Sequence, residues 1–159
     1  MATRSLTVIT GWLCLFTGYG IIVYAYLLCF ESWHQVFGWS RGLLSMSFSV
    51  GLIIVAMTSP LVGKMTDVLG PRKVIIAGTL ILSTGIALLA TMTYQWQLFA
   101  YYGLASLGFS MCSSVPVSAM IVKWFPENKG LINGIIFSGV GTGGFVIGFL
   151  TGHLVVGVG

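Results

Sequence analysis

Charge is what this sequence has least of. Seven Lys or Arg and three Asp or Glu make up 6% of its 159 residues, whereas a soluble domain carries about a quarter of its residues charged. No soluble fold covers itself with so few ions, so most of this surface must meet lipid. The 57% apolar content and a mean hydropathy of +1.01 agree. The net charge of +4 is not a nucleic-acid footprint, because no basic stripe with interleaved aromatics exists, and no nucleic-acid partner is expected. The two histidines, His34 and His153, lie far apart, and no CxxC or Cys/His cluster has ligand spacing. No metal and no cofactor are therefore expected. Cys14, Cys29 and Cys112 all fall in apolar runs and read as packing residues. On one helix, Cys14 and Cys29 would be about 22 Å apart at ~1.5 Å per residue, too far for a disulfide. A nucleophile–base pair and a phosphate-cradling glycine loop are also missing, so no enzyme activity is expected.

What is present is a succession of long apolar runs. A membrane-crossing helix needs about 20 mostly apolar residues. Five runs qualify with no Asp, Glu, Lys or Arg in the interior of any, at 6–30, 42–62, 74–93, 97–122 and 131–156. The first is too long for a signal-peptide core and is followed by no A-x-A cleavage site, so it reads as the first span. The alternating pattern of a transmembrane barrel is missing, which argues against spanning strands. The expected fold class is all-α, a polytopic membrane helix bundle of about five transmembrane helices.

Lys and Arg set orientation. With the N-terminus in the cytoplasm, Arg4, Lys64, Arg72, Lys73, Lys123 and Lys129 lie inside and only Arg41 lies outside. This predicts an integral, multi-pass protein with a cytoplasmic N-terminus and an external C-terminus for this chain. Aromatic residues mark the boundaries: Trp33, Phe37 and Trp39 in the first outer loop, Tyr94 and Trp96 in the second.

Four of the ten charges crowd into GKMTDVLGPRK, residues 63–73. Gly63 is expected to end the second span, and Gly70-Pro71 to open the third, with proline suited to the first helical position. Orientation accounts for the bases but not for Asp67. The stretch resembles the loop motif G-x-x-x-D-R/K-x-G-R/K-R/K between helices 2 and 3 of the major facilitator superfamily. Gly63, Asp67, Gly70, Arg72 and Lys73 match; Val68 replaces the usual base, and Pro71 shifts the basic pair by one. The resemblance implies that these five residues form a conformational latch, in which Asp67 and Arg72 hold the two transporter halves together on the cytoplasmic side.

A second stretch, KWFPENKGLINGIIFSGVGTGG at 123–144, is similar to the helix 4–5 loop of the monocarboxylate and oxalate–formate porter branch, W-F-P-x-x-R-G-x-A-x-G. Trp124, Phe125, Pro126, Gly130 and Gly134 match, while Lys129 and Ile132 depart. FGWSRGLLSMSFS at 37–49 is similar to the same branch's approach to helix 2. The superfamily fold has twelve helices in two six-helix halves. Residues 1–159 then correspond to a partial N-terminal six-helix-bundle domain.

The resemblance implies that helices 1 and 4 line a central cavity. In span 4, Tyr102, Ser106, Ser110 and Ser113 share an arc of about 80° at ~100° per residue. Pro116 leaves the carbonyl of Cys112 without its helical donor. In span 1, Tyr19 and Tyr26 share a face. These six residues are the candidate cavity lining, offering hydroxyls to a small solute. The serines bonding to their own helix and the tyrosines packing is the competing expectation. Span 2 carries Gly42, Ser45, Ser49, Ala56 and Pro60 on one face, read as a helix contact. Span 5 carries the stripe Gly144-x-x-x-Gly148-x-x-x-Gly152, suited to close approach of a neighbouring helix. Glu31 and His34, at the outer end of span 1, are the only titratable candidates near a cavity.

The functional expectation is a transporter, or the N-terminal piece of one, moving a small organic solute by rocking alternating access. The branch implies a monocarboxylate and, with an organic anion, a coupling ion. The partners are the lipid bilayer, the solute, and a missing C-terminal half or other copies of the chain. The alternative is a non-transporting helical interaction module derived from such a transporter.

Overall fold

The computed structural model describes the backbone of residues 2–125, 127 and 129–158, and the side chains of these except 2–6, 28, 147, 148 and 150–158. Every regular element among the described residues is helical. The first span consists of α1 (Ala2–Tyr19), a π-helical turn (Gly20–Ala25) and α2 (Tyr26–Phe37). Span 2 is α3 (Arg41–Leu69), and span 3 is α4 (Pro71–Leu89). The fourth is divided into α5 (Gln95–Cys112) and α6 (Ser114–Trp124), and the fifth is α7 (Lys129–Val158). Four described runs, Thr7–Phe37, Arg41–Leu69, Pro71–Leu89 and Gln95–Trp124, are long and apolar enough to cross a membrane.

Local chemistry fixes the ends. At Gly38, φ is +65°, and its N–H bonds the His34 carbonyl, closing α2 with a left-handed residue that only glycine adopts cheaply. Ser40 then caps α3 by accepting from the Leu43 N–H at 3.2 Å. Gln97 reaches back to the N–H groups of Thr93 (2.7 Å) and Tyr94 (3.0 Å), fixing the start of α5.

Several expected boundaries move. Gly63 does not end span 2: α3 continues to Leu69, and the break is at Gly70 alone, where φ is +85°. A single glycine costs a helix about 1 kcal/mol, too little to stop one whose neighbours favour it. Asp67 thereby moves from a loop to the last turn of α3. Pro71 does occupy the first turn of α4, as expected, and this helix ends at Leu89, earlier than 93. The expected continuous span 97–122 is interrupted at Ser113, whose φ of −83° and ψ of −160° are extended.

Small residues set the closest helix contacts. A Cβ on Gly78 of α4 would lie 2.6 Å from the Met111 Cβ, and one on Gly85 would lie 2.6 Å from the Ala105 nitrogen. Opposite them, Gly108 of α5 faces the backbone of Gly78 and Leu82. Along the first span, the α7 glycines that make contact are Gly139, against the Trp12 carbonyl, Gly143, against Phe16, and Gly144, against the Tyr24 ring of the π-turn. The expected stripe is thus met at Gly144; Gly148 and Gly152 lie outside the described side chains. Leu15, Leu44, Leu98, Val117, Ile121 and Ile136 fill the core between the helices.

The expected contact face of span 2, Gly42, Ser45, Ser49, Ala56 and Pro60, is exposed throughout and is covered by no other helix among the described residues. The opposite side of α3 is buried instead, through Leu44, Ser47, Gly51, Val62 and Thr66.

Candidate functional site

A polar seam runs between spans 1, 2 and 4. It begins at the π-turn, where the Tyr26 N–H bonds to the Val23 carbonyl rather than to that of Ile22. The Ile22 carbonyl instead accepts the Tyr102 hydroxyl of α5 at 3.0 Å. A π-turn widens the helix and disturbs its regular ladder, and here a carbonyl from that turn is bonded across to the fourth span. Next to it, the Tyr26 hydroxyl donates to the Leu44 carbonyl at 2.9 Å and meets the Ser47 hydroxyl, joining span 1 to α3. The two tyrosine rings lie 4.4 Å apart between centroids, and Trp33 packs edge-on against Tyr26.

Gly51 makes this arrangement possible. A Cβ there would collide with the Tyr102 ring and come within 2.6 Å of the Ser106 Oγ. Ser106 is 1% exposed and its hydroxyl has no hydrogen-bond partner. Further along α5, the Thr58 hydroxyl of α3 donates to Ser110 Oγ at 2.9 Å, and Ser113 donates to the Ser110 carbonyl at 2.9 Å. These two bonds sit beside the interruption of the fourth span. Pro116, in the first turn of α6, offers no N–H to the carbonyl of Cys112.

Of the six candidate lining residues, Tyr26 and Tyr102 are brought into one cluster, with Ser106 beside Tyr102. Ser110 and Ser113 form a second link with Thr58. Tyr19 stands apart, packed edge-on against Phe109 at 4.9 Å and 87°. The hydroxyls of Tyr26, Tyr102 and Ser113 are engaged by backbone carbonyls rather than left free for a solute. A cavity of about 300 Å³ opens beside the cluster, lined by apolar groups from Ile21, Ile22, Cys29, Ile86 and Leu89 and by both tyrosines.

At the opposite charge-bearing ends the geometry is simpler. Lys64, Asp67, Arg72 and Lys73 are exposed, and Asp67 forms no ion pair among the described residues. Its position in the last turn of α3 is electrostatically unfavourable, because the negative end of the helix dipole lies there. Gly63 is half-buried, and Gly70 is the turn itself. Where α2 meets α3, Arg41 pairs with Glu31 at 3.2 Å, and His34 Nδ1 donates to the Trp39 carbonyl at 2.6 Å. Both titratable candidates thus sit in the last turns of α2 and bond to the segment that leads into α3. Trp124 and Lys129 are exposed, Gly130 and Gly134 have open space where a side chain would go, and Pro126 lies outside the described residues.

Sequence reasoning did not identify the π-turn, nor Ser47 and Gly51 as its complement. Gly20 was the one available hint of the first. Pro116 pointed to the second irregularity, though it did not place the break at Ser113.

Residues 6–159 match the Major Facilitator Superfamily. The chain is 29% identical, over 98% of its length, to "MFS-type transporter 1" of Ophiocordyceps sp., of which it covers 35%. It is 30% identical over 77% of its length to "Monocarboxylate transporter 14" of Homo sapiens, covering 24% of that protein. It is 35% identical over 73% of its length to "Riboflavin transporter RibJ" of Trypanosoma cruzi, covering 25%. The chain therefore spans about a quarter to a third of these relatives.

Proposed function

The chain belongs to the Major Facilitator Superfamily, and we propose that it forms the first part of a transporter for a small organic solute, working by rocking alternating access. The observation that carries this reading is that two spans which face one seam are both irregular. Spans 1 and 4 each depart from the α-helix, at Gly20–Ala25 and at Ser113, and the Tyr102–Ile22 bond ties them together. Discontinuous helices at the bilayer midplane are the usual setting for solute sites in secondary transporters.

The solute in this reading is a monocarboxylate, supported by the WFPENKG stretch and by the name of one relative. No Asp, Glu, Lys, Arg or His lies among the described seam residues, so the carboxylate charge is met by helices beyond this chain, together with a coupling ion. Those helices cover the exposed small-residue face of α3. The N-terminus is cytoplasmic, and residues 1–159 form part of a six-helix bundle. Tyr19, Tyr26, Tyr102, Ser106, Ser110 and Ser113 shape the cavity wall, chiefly by holding the irregular backbone in place.

Gly63, Asp67, Gly70, Arg72 and Lys73 act as the latch. An exposed aspartate at the unfavourable end of its own helix gains by contact with a helix N-terminus, about 0.3–1 kcal/mol and up to ~2 when partly buried. That partner is supplied by the second half. The test uses the full-length protein without Cys14 and Cys112, with the native Cys29, which lines the cavity, as the reporter. Asp67→Asn should reduce labelling from the external side about five- to thirty-fold, the equivalent of ~1–2 kcal/mol. Equal labelling with normal expression would remove the latch.

A further inference from the structure

We propose that the corner between α3 and α4 is a docking site for an anionic phospholipid, whose headgroup is held by Lys64, Arg72 and Lys73. The exposed part of α3 carries two distinct stripes. Gly42, Ser45, Ser49, Ala56 and Pro60 share an arc of about 60° at ~100° per residue, and Asp67 falls on it. Beside it, Met46, Ile53, Met57, Leu61 and Val68 span an arc of about 80°, on which Lys64 is the one charge. These are large apolar side chains, 73% exposed at Met57 and 82% at Val68. The small-residue stripe suits close packing of another helix, whereas the stripe that carries Lys64 suits acyl chains.

Length and charge identify the occupant. From Arg41 to Lys64 is about 35 Å at ~1.5 Å per residue, against a hydrocarbon core of about 30 Å. Arg41, paired with Glu31, marks one boundary, so the Lys64 ammonium reaches the opposite one, where lipid phosphates lie. Arg72 and Lys73, in the first turn of α4, stand just across the Gly70 turn and are exposed. None of these three bases forms an ion pair among the described residues. Asp67 is the one acid in residues 63–73, so positive charge is in surplus there. A zwitterionic headgroup brings its own cation and gains little at such a corner. An anionic headgroup leaves a net negative charge for the surplus bases, which is how basic clusters at the end of a membrane helix select lipid. The acyl chains of the same molecule then lie along Leu61 and Met57.

The purified chain in detergent micelles is offered equal amounts of phosphatidylglycerol and phosphatidylcholine with the same acyl chains, and the lipid it retains is weighed by native mass spectrometry. Phosphatidylglycerol should be favoured about ten-fold or more, since each base near the surface contributes about five-fold. Arg41→Gln, at the other end of α3, should keep the preference. Asp67→Asn should keep it too, which separates this site from the latch. Lys64→Gln should reduce the preference about five-fold, and combining it with Arg72→Gln and Lys73→Gln should abolish it. Should the triple variant fail to fold, the parent at high salt gives the same decision, because screening removes attraction between exposed charges. Equal retention of the two lipids by the parent would overturn the proposal. So would a preference that survives Lys64→Gln undiminished, survives the triple variant or high salt, or disappears with Arg41→Gln.

Discussion

At the scale of single residues, the seam depends on two side chains and one missing side chain. The Tyr102 hydroxyl satisfies a carbonyl of the π-turn. Tyr102→Phe should therefore lower stability by about 0.5–1.5 kcal/mol, the usual worth of one such bond, as read from the unfolding midpoint in micelles. An unchanged midpoint would mean that the Ile22 carbonyl finds another donor. Gly51→Val is a harsher change, because its Cβ would lie within 2.6 Å of the Ser106 Oγ and push into the Tyr102 ring. Overpacking of this kind costs about 1–3 kcal/mol, and the same midpoint should fall by more than in Tyr102→Phe. The unpartnered Ser106 hydroxyl leads to the opposite expectation: Ser106→Ala should be neutral or slightly stabilising, since it removes a buried group with nothing to bond.

The elements show what a sequence does and does not display. Long uncharged runs announce spans directly, because lipid imposes a length and forbids bare charge. The start of α4 was similarly legible, through Gly70-Pro71, whereas span 1 runs past its expected end at residue 30 to Phe37, where Gly38 closes it. Gly63 misled because a helical glycine and a helix-ending glycine look alike in one dimension; only φ distinguishes Gly70 from it. The small-residue face of α3 had the right period, but periodicity does not say whether the neighbour belongs to the same chain. The π-turn carries no composition of its own, and depends on Tyr102 arriving from 80 residues away. The break at Ser113 yields an element-scale prediction. Pro116→Ala restores an N–H for the Cys112 carbonyl, so α5 and α6 should approach one continuous helix. Amide exchange across residues 112–117 should slow, and solute uptake by the full-length protein should fall. Unchanged exchange would show that the break is held by packing rather than by the proline.

On the scale of the whole molecule, the four described helical runs long enough to cross a membrane and the sparse charge make a multi-pass membrane protein. The Lys and Arg distribution predicts sidedness. In a variant without Cys14, Cys29 and Cys112, a cysteine at Gln35 should react with an impermeant reagent added outside intact cells, and one at Asp67 should not. The reverse pattern would invert the topology. The chain covers only 24–36% of the length of these relatives, so the proposed transport is assigned to a full-length protein and not to residues 1–159 alone. The measurement closest to the central claim is uptake of a monocarboxylate panel into vesicles, by the full-length protein and by this chain alone. The account predicts saturable uptake by the full-length protein and none above empty vesicles by the chain alone. Saturable uptake by the isolated 159 residues, or no uptake of any small organic solute by the full-length protein, would contradict it.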